Sequence, residues 1–228
     1  MPTKPAIVFA HGIWADGSCF SKLIPTLQAE GYEVYSSQHG LDTLEQDVAT
    51  TTFTLNHVTG PIVLVGHSYG GTLITKAGTH DRVKALVYIA ALGPDEDETS
   101  ESLQAQFAQT PAFKTVQVAD GRVWLTPAGS KEFASDLPDA DQKFIMAVAA
   151  EPAADLFSQQ VPGTAWRTKP SWYIVANNDR AVNPDLQRFC AERMGATTFD
   201  IDSSHLPMFS HPEFVLDVIR QAADSIEQ

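Results

Sequence analysis

Ser68 sits in Gly66-His67-Ser68-Tyr69-Gly70-Gly71, and the branched apolar run Ile62-Val63-Leu64-Val65 leads directly into it. A strand followed by a sharp turn and then a helix would hold the serine at the apex, with its hydroxyl presented as a nucleophile. The flanking glycines leave room for the neighbouring strand and helix. A competing reading is a glycine-rich turn whose serine only caps the next helix. The strand before, the helical stretch after and the extra glycine at Gly71 favour the nucleophile. A serine hydroxyl is a weak nucleophile at neutral pH, so a base and a group that orients the base must be found elsewhere in the chain.

For a serine on such a turn the partners follow in the order acid, then histidine. Of seven histidines, His11, His39, His57, His67 and His80 come too early, and only His205 and His211 follow the last expected strand. His205 lies in Asp202-Ser203-Ser204-His205-Leu206-Pro207, a loop directly beyond that strand. His211 precedes Pro212 at a helix start, where a capping or surface role fits better. The acid should stand at the end of the preceding strand, where Asp179 follows Tyr173-Ile174-Val175-Ala176. Asp95, after an earlier strand, is a rival, and Asp202 is too near His205 in sequence to orient its ring. An oxyanion hole needs fixed backbone N–H groups. Tyr69, after the serine, offers one, and Ile13 in His11-Gly12-Ile13-Trp14 offers the other, with Gly12 allowing the tight turn. Trp14 would wall the site or pack into the core.

Positioning these groups requires alternating strands and helices. β-branched runs at 6–10, 33–36, 62–65, 83–90, 172–176 and 197–201 predict about six parallel strands with helices on both faces. Helical patterns cover 18–30, about 42–57, the stretch after Ser68, 184–194 and the segment opened by Pro212. Residues 93–169 break the alternation and are too long for a plain connection. They are expected to form an inserted cap, with 1–92 and 170–228 as the core of a single folded unit. Within the cap, 115–125 reads as a hairpin around Asp120-Gly121, with helical pieces near 139–149 and 153–159. Its aromatic residues should pack mostly among themselves while a few face substrate. Phe107 and Trp124, with Trp14, are the candidate substrate-binding residues. The acidic run Asp95-Glu96-Asp97-Glu98 reads as a solvated face.

A formal net charge of −13 disfavours nucleic acid and anionic membrane surfaces. No apolar run has the length of a membrane span. Met1 to Pro5 leads into the first strand without a basic leader, and Cys19 and Cys190 read as free thiols, so a cytoplasmic setting is expected. No His/Cys spacing suggests a metal, and no cofactor is expected.

Phe9-Ala10-His11-Gly12-Ile13-Trp14, the Ser68 turn, Asn178-Asp179-Arg180-Ala181-Val182 with Pro184, Leu186 and Gln187, and the run from His205 to Pro212 together resemble a small α/β-hydrolase. The similarity spans nearly the whole chain and is strongest to the esterase branch related to plant methylesterases and hydroxynitrile lyases. It implies the α/β-hydrolase fold and a triad of Ser68, Asp179 and His205, placing Asp179 above Asp95. Lyases of this type carry a lysine after the catalytic histidine and a threonine by the oxyanion loop. Leu206 and Gly12 stand at those positions, which removes the charge that would stabilise cyanide. The expected function is a carboxylesterase-like serine hydrolase that cleaves a small, mainly apolar ester or lactone through an acyl-enzyme. The alternatives are a slow-turnover small-ligand receptor on the same scaffold and a cofactor-free oxygenase using the His–Asp pair. Oligomeric state is not encoded in any motif.

Overall fold

The computed structural model describes residues 4–226. Four strands alternate with helices in the first half: β1 (Ala6–Ala10), β2 (Val34–Ser37), β3 (Ile62–His67) and β4 (Val83–Ile89). A hairpin of β5 (Gln117–Ala119) and β6 (Arg122–Trp124) follows, and β7 (Ser171–Ala176) and β8 (Thr197–Ile201) complete the main sheet. Its order is β2-β1-β3-β4-β7-β8, with every neighbouring pair parallel. β1, β3 and β7 are buried along their whole length, as expected of strands covered on both faces. The edge strand β8 is the most exposed and carries Thr197, Thr198 and Asp200 outward, which blunts an otherwise open edge.

Helices α1 (Ile24–Ala29), α2 (Leu44–His57) and α3 (Gly70–Ala77) connect the first strands. The single helix expected over 18–30 is broken: a 3-10 turn at Gly17–Phe20 precedes α1, which restarts around Pro25. Proline has no N–H for an interior helical bond, so it sits comfortably only in a first turn. Thr43 caps α2, accepting a hydrogen bond from Gln46 N–H at 3.2 Å.

Between β4 and β7 lie α4 (Ser100–Gln104), the hairpin, α5 (Pro127–Phe133) and α6 (Asp139–Ala147). Asp120 and Gly121 at the hairpin tip both have positive φ, 52° and 74°, as a tight two-residue turn requires. The helix expected over 153–159 is only a 3-10 turn at Leu156–Ser158. Conversely α5 was not anticipated, although Thr126-Pro127 is an N-cap and first-turn proline; Thr126 Oγ1 accepts from Gly129 N–H at 3.1 Å. The segment is tied to loops at the carboxyl ends of the strands. Ala150 O accepts from Trp14 N–H after β1 (3.0 Å), Ala153 N–H donates to Leu41 O after β2 (2.9 Å), and Ala112 N–H donates to Arg180 O after β7 (3.0 Å). It therefore lies over the edge where open α/β sheets bind ligands. Helix α7 (Pro184–Met194), the short α8 (Pro207–Ser210) and α9 (Pro212–Asp224) close the fold, with α9 burying Val215, Leu216, Val218, Ile219, Ala222 and Ala223.

Candidate active site

The strand order turns back between β1 and β3, and the loops leaving those two strands carry Gly12 and Ser68. Ser68 has a φ of 56°, a left-handed backbone that costs a non-glycine residue about 1–3 kcal/mol and is held only by its surroundings. The holding contacts are visible. Ser68 N–H donates to Ile89 O at 3.1 Å, and Ser68 O accepts from Gly71 N–H (2.9 Å) and Leu92 N–H (3.0 Å). The glycines permit the close approach: a Cβ on Gly70 would lie 2.1 Å from Ala10 O, and one on Gly71 2.2 Å from Leu92 O. A Cβ on Gly12 would lie 2.7 Å from Ser68 Cβ, so the loop after β1 runs directly against the serine.

His205 and Asp179 meet with both side chains fully buried, His205 Nδ1–H donating to Asp179 Oδ2 at 2.7 Å. A carboxylate only accepts, so the proton is on Nδ1 and Nε2 carries the basic lone pair. Nε2 has no partner among the described residues, and His205 lines the same small recess as Ser68. Three more donors fix Asp179: Ala181 N–H (2.7 Å) and Val182 N–H (2.9 Å) on Oδ1, and Gln187 Nε2 (2.7 Å) on Oδ2. Gln187 is itself held, since its Oε1 accepts from Ala176 N–H at 2.9 Å. The rival acids are engaged elsewhere. Asp95 forms a two-pronged pair with Arg167, and Asp202 accepts from Asn177. His211 is exposed and contacts Ser210 Oγ.

Further groups hold the histidine loop. His67 Nε2–H donates to His205 O at 2.8 Å, and the rings lie 4.6 Å apart. Burial pushes the His67 imidazole well below its ordinary value, so it is a neutral strut. Asp136, between α5 and α6, accepts hydrogen bonds from Ser204 N–H at 2.9 Å and from the Ser204 hydroxyl. Phe133 packs edge-on against the His205 ring at 4.7 Å. Sequence reasoning passed over Asp136, because nothing local marks a residue that reaches 68 positions along the chain, and it held Phe133 only as one of the cap aromatics.

The N–H groups of Ile13 and Tyr69 donate to no described residue. The loop before Ile13 rests on two stacked imidazoles, His11 and His39, with ring centroids 3.7 Å apart. His39 Nε2–H donates to His11 O at 3.2 Å, and burial pushes its imidazole down to about 2. Tyr69 turns its side chain away from the site, where its hydroxyl donates to the buried Asp47 Oδ2 at 3.0 Å. Burial pushes the Asp47 carboxyl up to about 6.

Trp14 takes both of its expected places. It is fully buried against Phe113 and Phe133, donates Nε1–H to Val123 O at 2.8 Å, and lines the recess beside Ser68. An apolar cavity of about 570 Å³ adjoins the recess, and Phe107 lines it together with Phe113 and Phe157. Trp124 corrects the expectation: it is 43% exposed and lines neither space. Side chains alternate along the hairpin, so the paired Val118 and Val123 face the cavity while Trp124 faces away. Among the described residues no group of three or more His, Cys, Asp or Glu side chains converges as a metal site would require.

A strained serine between strand and helix, beside a buried His–Asp pair at the carboxyl edge of a parallel sheet, is the arrangement of a hydrolase. The chain belongs to the alpha/beta hydrolase family, whose model matches residues 7–218. It is 24% identical to Methylesterase 2 of Arabidopsis thaliana, over 97% of each chain. It is 25% identical to a pyrethroid hydrolase of Sphingobium wenxiniae, over 98% of this chain and 89% of that one. The solved structure of polyneuridine aldehyde esterase superposes with a TM-score of 0.84 at 17% identity, covering 96% of this chain and 98% of that chain.

Proposed function

We propose that the protein is a carboxylic ester hydrolase that uses Ser68, His205 and Asp179 as a catalytic triad. The observation that carries this reading is the fully buried 2.7 Å His205–Asp179 contact, with the free Nε2 in the same recess as Ser68. His205 Nε2 takes the Ser68 proton as Oγ attacks the carbonyl carbon, while Asp179 holds the imidazolium that forms. Negative charge collects on the carbonyl oxygen and is met by the N–H groups of Ile13 and Tyr69, which have no other described partner. Collapse of that intermediate breaks the ester C–O bond, and His205 returns the proton to the departing alkoxide. Water, deprotonated by the same nitrogen, then hydrolyses the acyl-enzyme.

A mainly apolar ester or lactone suits the lining of the large cavity, and the esterases among the relatives point the same way. The buried free thiols Cys19 and Cys190 suit a cytoplasmic setting. No described helix is long and apolar enough to cross a membrane. Ser68→Ala should lower kcat on p-nitrophenyl butyrate by several orders of magnitude with the fold intact. Turnover close to native by that variant would refute the mechanism.

A further inference from the structure

Ile13, Gln104, Phe113, Phe157 and Ala181 line both the large cavity and the Ser68 recess, and Gln104 alone among them has a polar side chain. It is the last residue of α4, and its Nε2 donates to Ser100 O at 3.1 Å. Because that partner is a carbonyl, the amide end facing it must be the NH2, and the other end is an acceptor. Oε1 receives no hydrogen bond from the described residues. The position of Gln104 is also tied to the nucleophile. Ser100 Oγ lies 2.9 Å from Thr72 Oγ1 on α3, the helix that begins two residues after Ser68. A capping box of Thr99 and Ser102 pins the start of α4. Gln104, with an acceptor left free, thus stands where the mainly apolar cavity meets the serine recess.

We propose that Gln104 is a specificity residue whose Oε1 accepts a hydrogen bond from a donor on the substrate atom next to the ester carbonyl. The preferred substrates are then α-hydroxy esters, or esters with an N–H at the same place, of bulky apolar acids. With the carbonyl at Ser68 and the apolar body in the large cavity, an α-substituent falls at the junction. The donor belongs to the acyl half: a hydroxyl on the first carbon of the alcohol half would make a labile hemiacetal ester. This proposal rests on Ser68 acting as the nucleophile.

The test compares kcat/KM on methyl (R)-mandelate, methyl (S)-mandelate and methyl phenylacetate, which differ only at the α-position. The hydroxyl also activates the ester chemically, so the informative quantity is how the mandelate-to-phenylacetate ratio changes between proteins. For the better enantiomer, Gln104→Leu should lower that ratio about tenfold, the worth of one net hydrogen bond. Gln104→Glu, which keeps an acceptor but loses the tether to Ser100 O, should retain more of it than Gln104→Leu. Equal ratios in all three proteins would overturn the proposal. Should any turnover be too slow, inhibition constants of the same esters against p-nitrophenyl acetate hydrolysis give the ratios. Loss of the underlying reading looks different: Ser68→Ala would then hydrolyse these esters as the native protein does, whatever the ratios.

Discussion

At the residue scale the site depends on fixing one proton and one lone pair. Asp179 receives four hydrogen bonds, and its acceptance from Nδ1 decides which nitrogen of His205 faces Ser68. Asp179→Asn, with its amide oxygen still facing the Ala181 and Val182 N–H groups, would set its NH2 against Nδ1 and favour the wrong tautomer. The variant should keep its fold, because the amide oxygen still accepts from Ala181 and Val182, while kcat on p-nitrophenyl butyrate falls by about four orders of magnitude. A fall of less than tenfold would show that the tautomer is not controlled from Asp179. That Ser68, His205 and Asp179 would stand close together was legible in the sequence, because each follows a recognisable strand end. Trp124 was misread because which face of a three-residue hairpin strand points inward depends on where the hairpin lands, which no local pattern encodes.

At the element scale, the main strands follow from their buried β-branched runs, and α2, α7 and α9 from their caps and first-turn prolines. The segment over the sheet edge was harder to read. Its helices are short, its apolar spacing is irregular, and contacts with distant loops decide its conformation. Asp136 is the clearest instance, since its carboxylate reaches into the histidine loop at Ser204. Asp136→Ala would leave the buried Ser204 N–H without its partner, at about 1–3 kcal/mol of stability. Because the loop carries His205, kcat should drop while KM changes little. A KM effect without a kcat effect would mean that Asp136 serves only the shape of the cavity.

At the scale of the whole molecule, Asp47 links folding to pH. Its carboxyl ionises near 3.8 in an ordinary setting and at about 6 when buried beneath Tyr69. The folded state therefore holds this proton longer than the unfolded chain. Stability from this group is fully present below the lower value, is lost as pH rises towards the upper one, and changes no further above it. Asp47→Asn cannot ionise, so the stability of the native protein relative to this variant should decline between about pH 4 and about pH 7 in urea titrations. A constant difference across that range would remove Asp47 as the source. Nothing near Asp47 in sequence announces this burial, since its partners Leu41 and Tyr69 come from a loop and from the nucleophile turn.

The proposed mechanism puts the acyl group on Ser68. A reaction with p-nitrophenyl butyrate, quenched by acid during turnover and digested, allows the peptides to be weighed. A butyryl group is expected on the peptide containing Ser68, absent from Ser68→Ala, which should also fail to turn over. A butyryl group on another residue of the native protein, or undiminished turnover by Ser68→Ala, would contradict it.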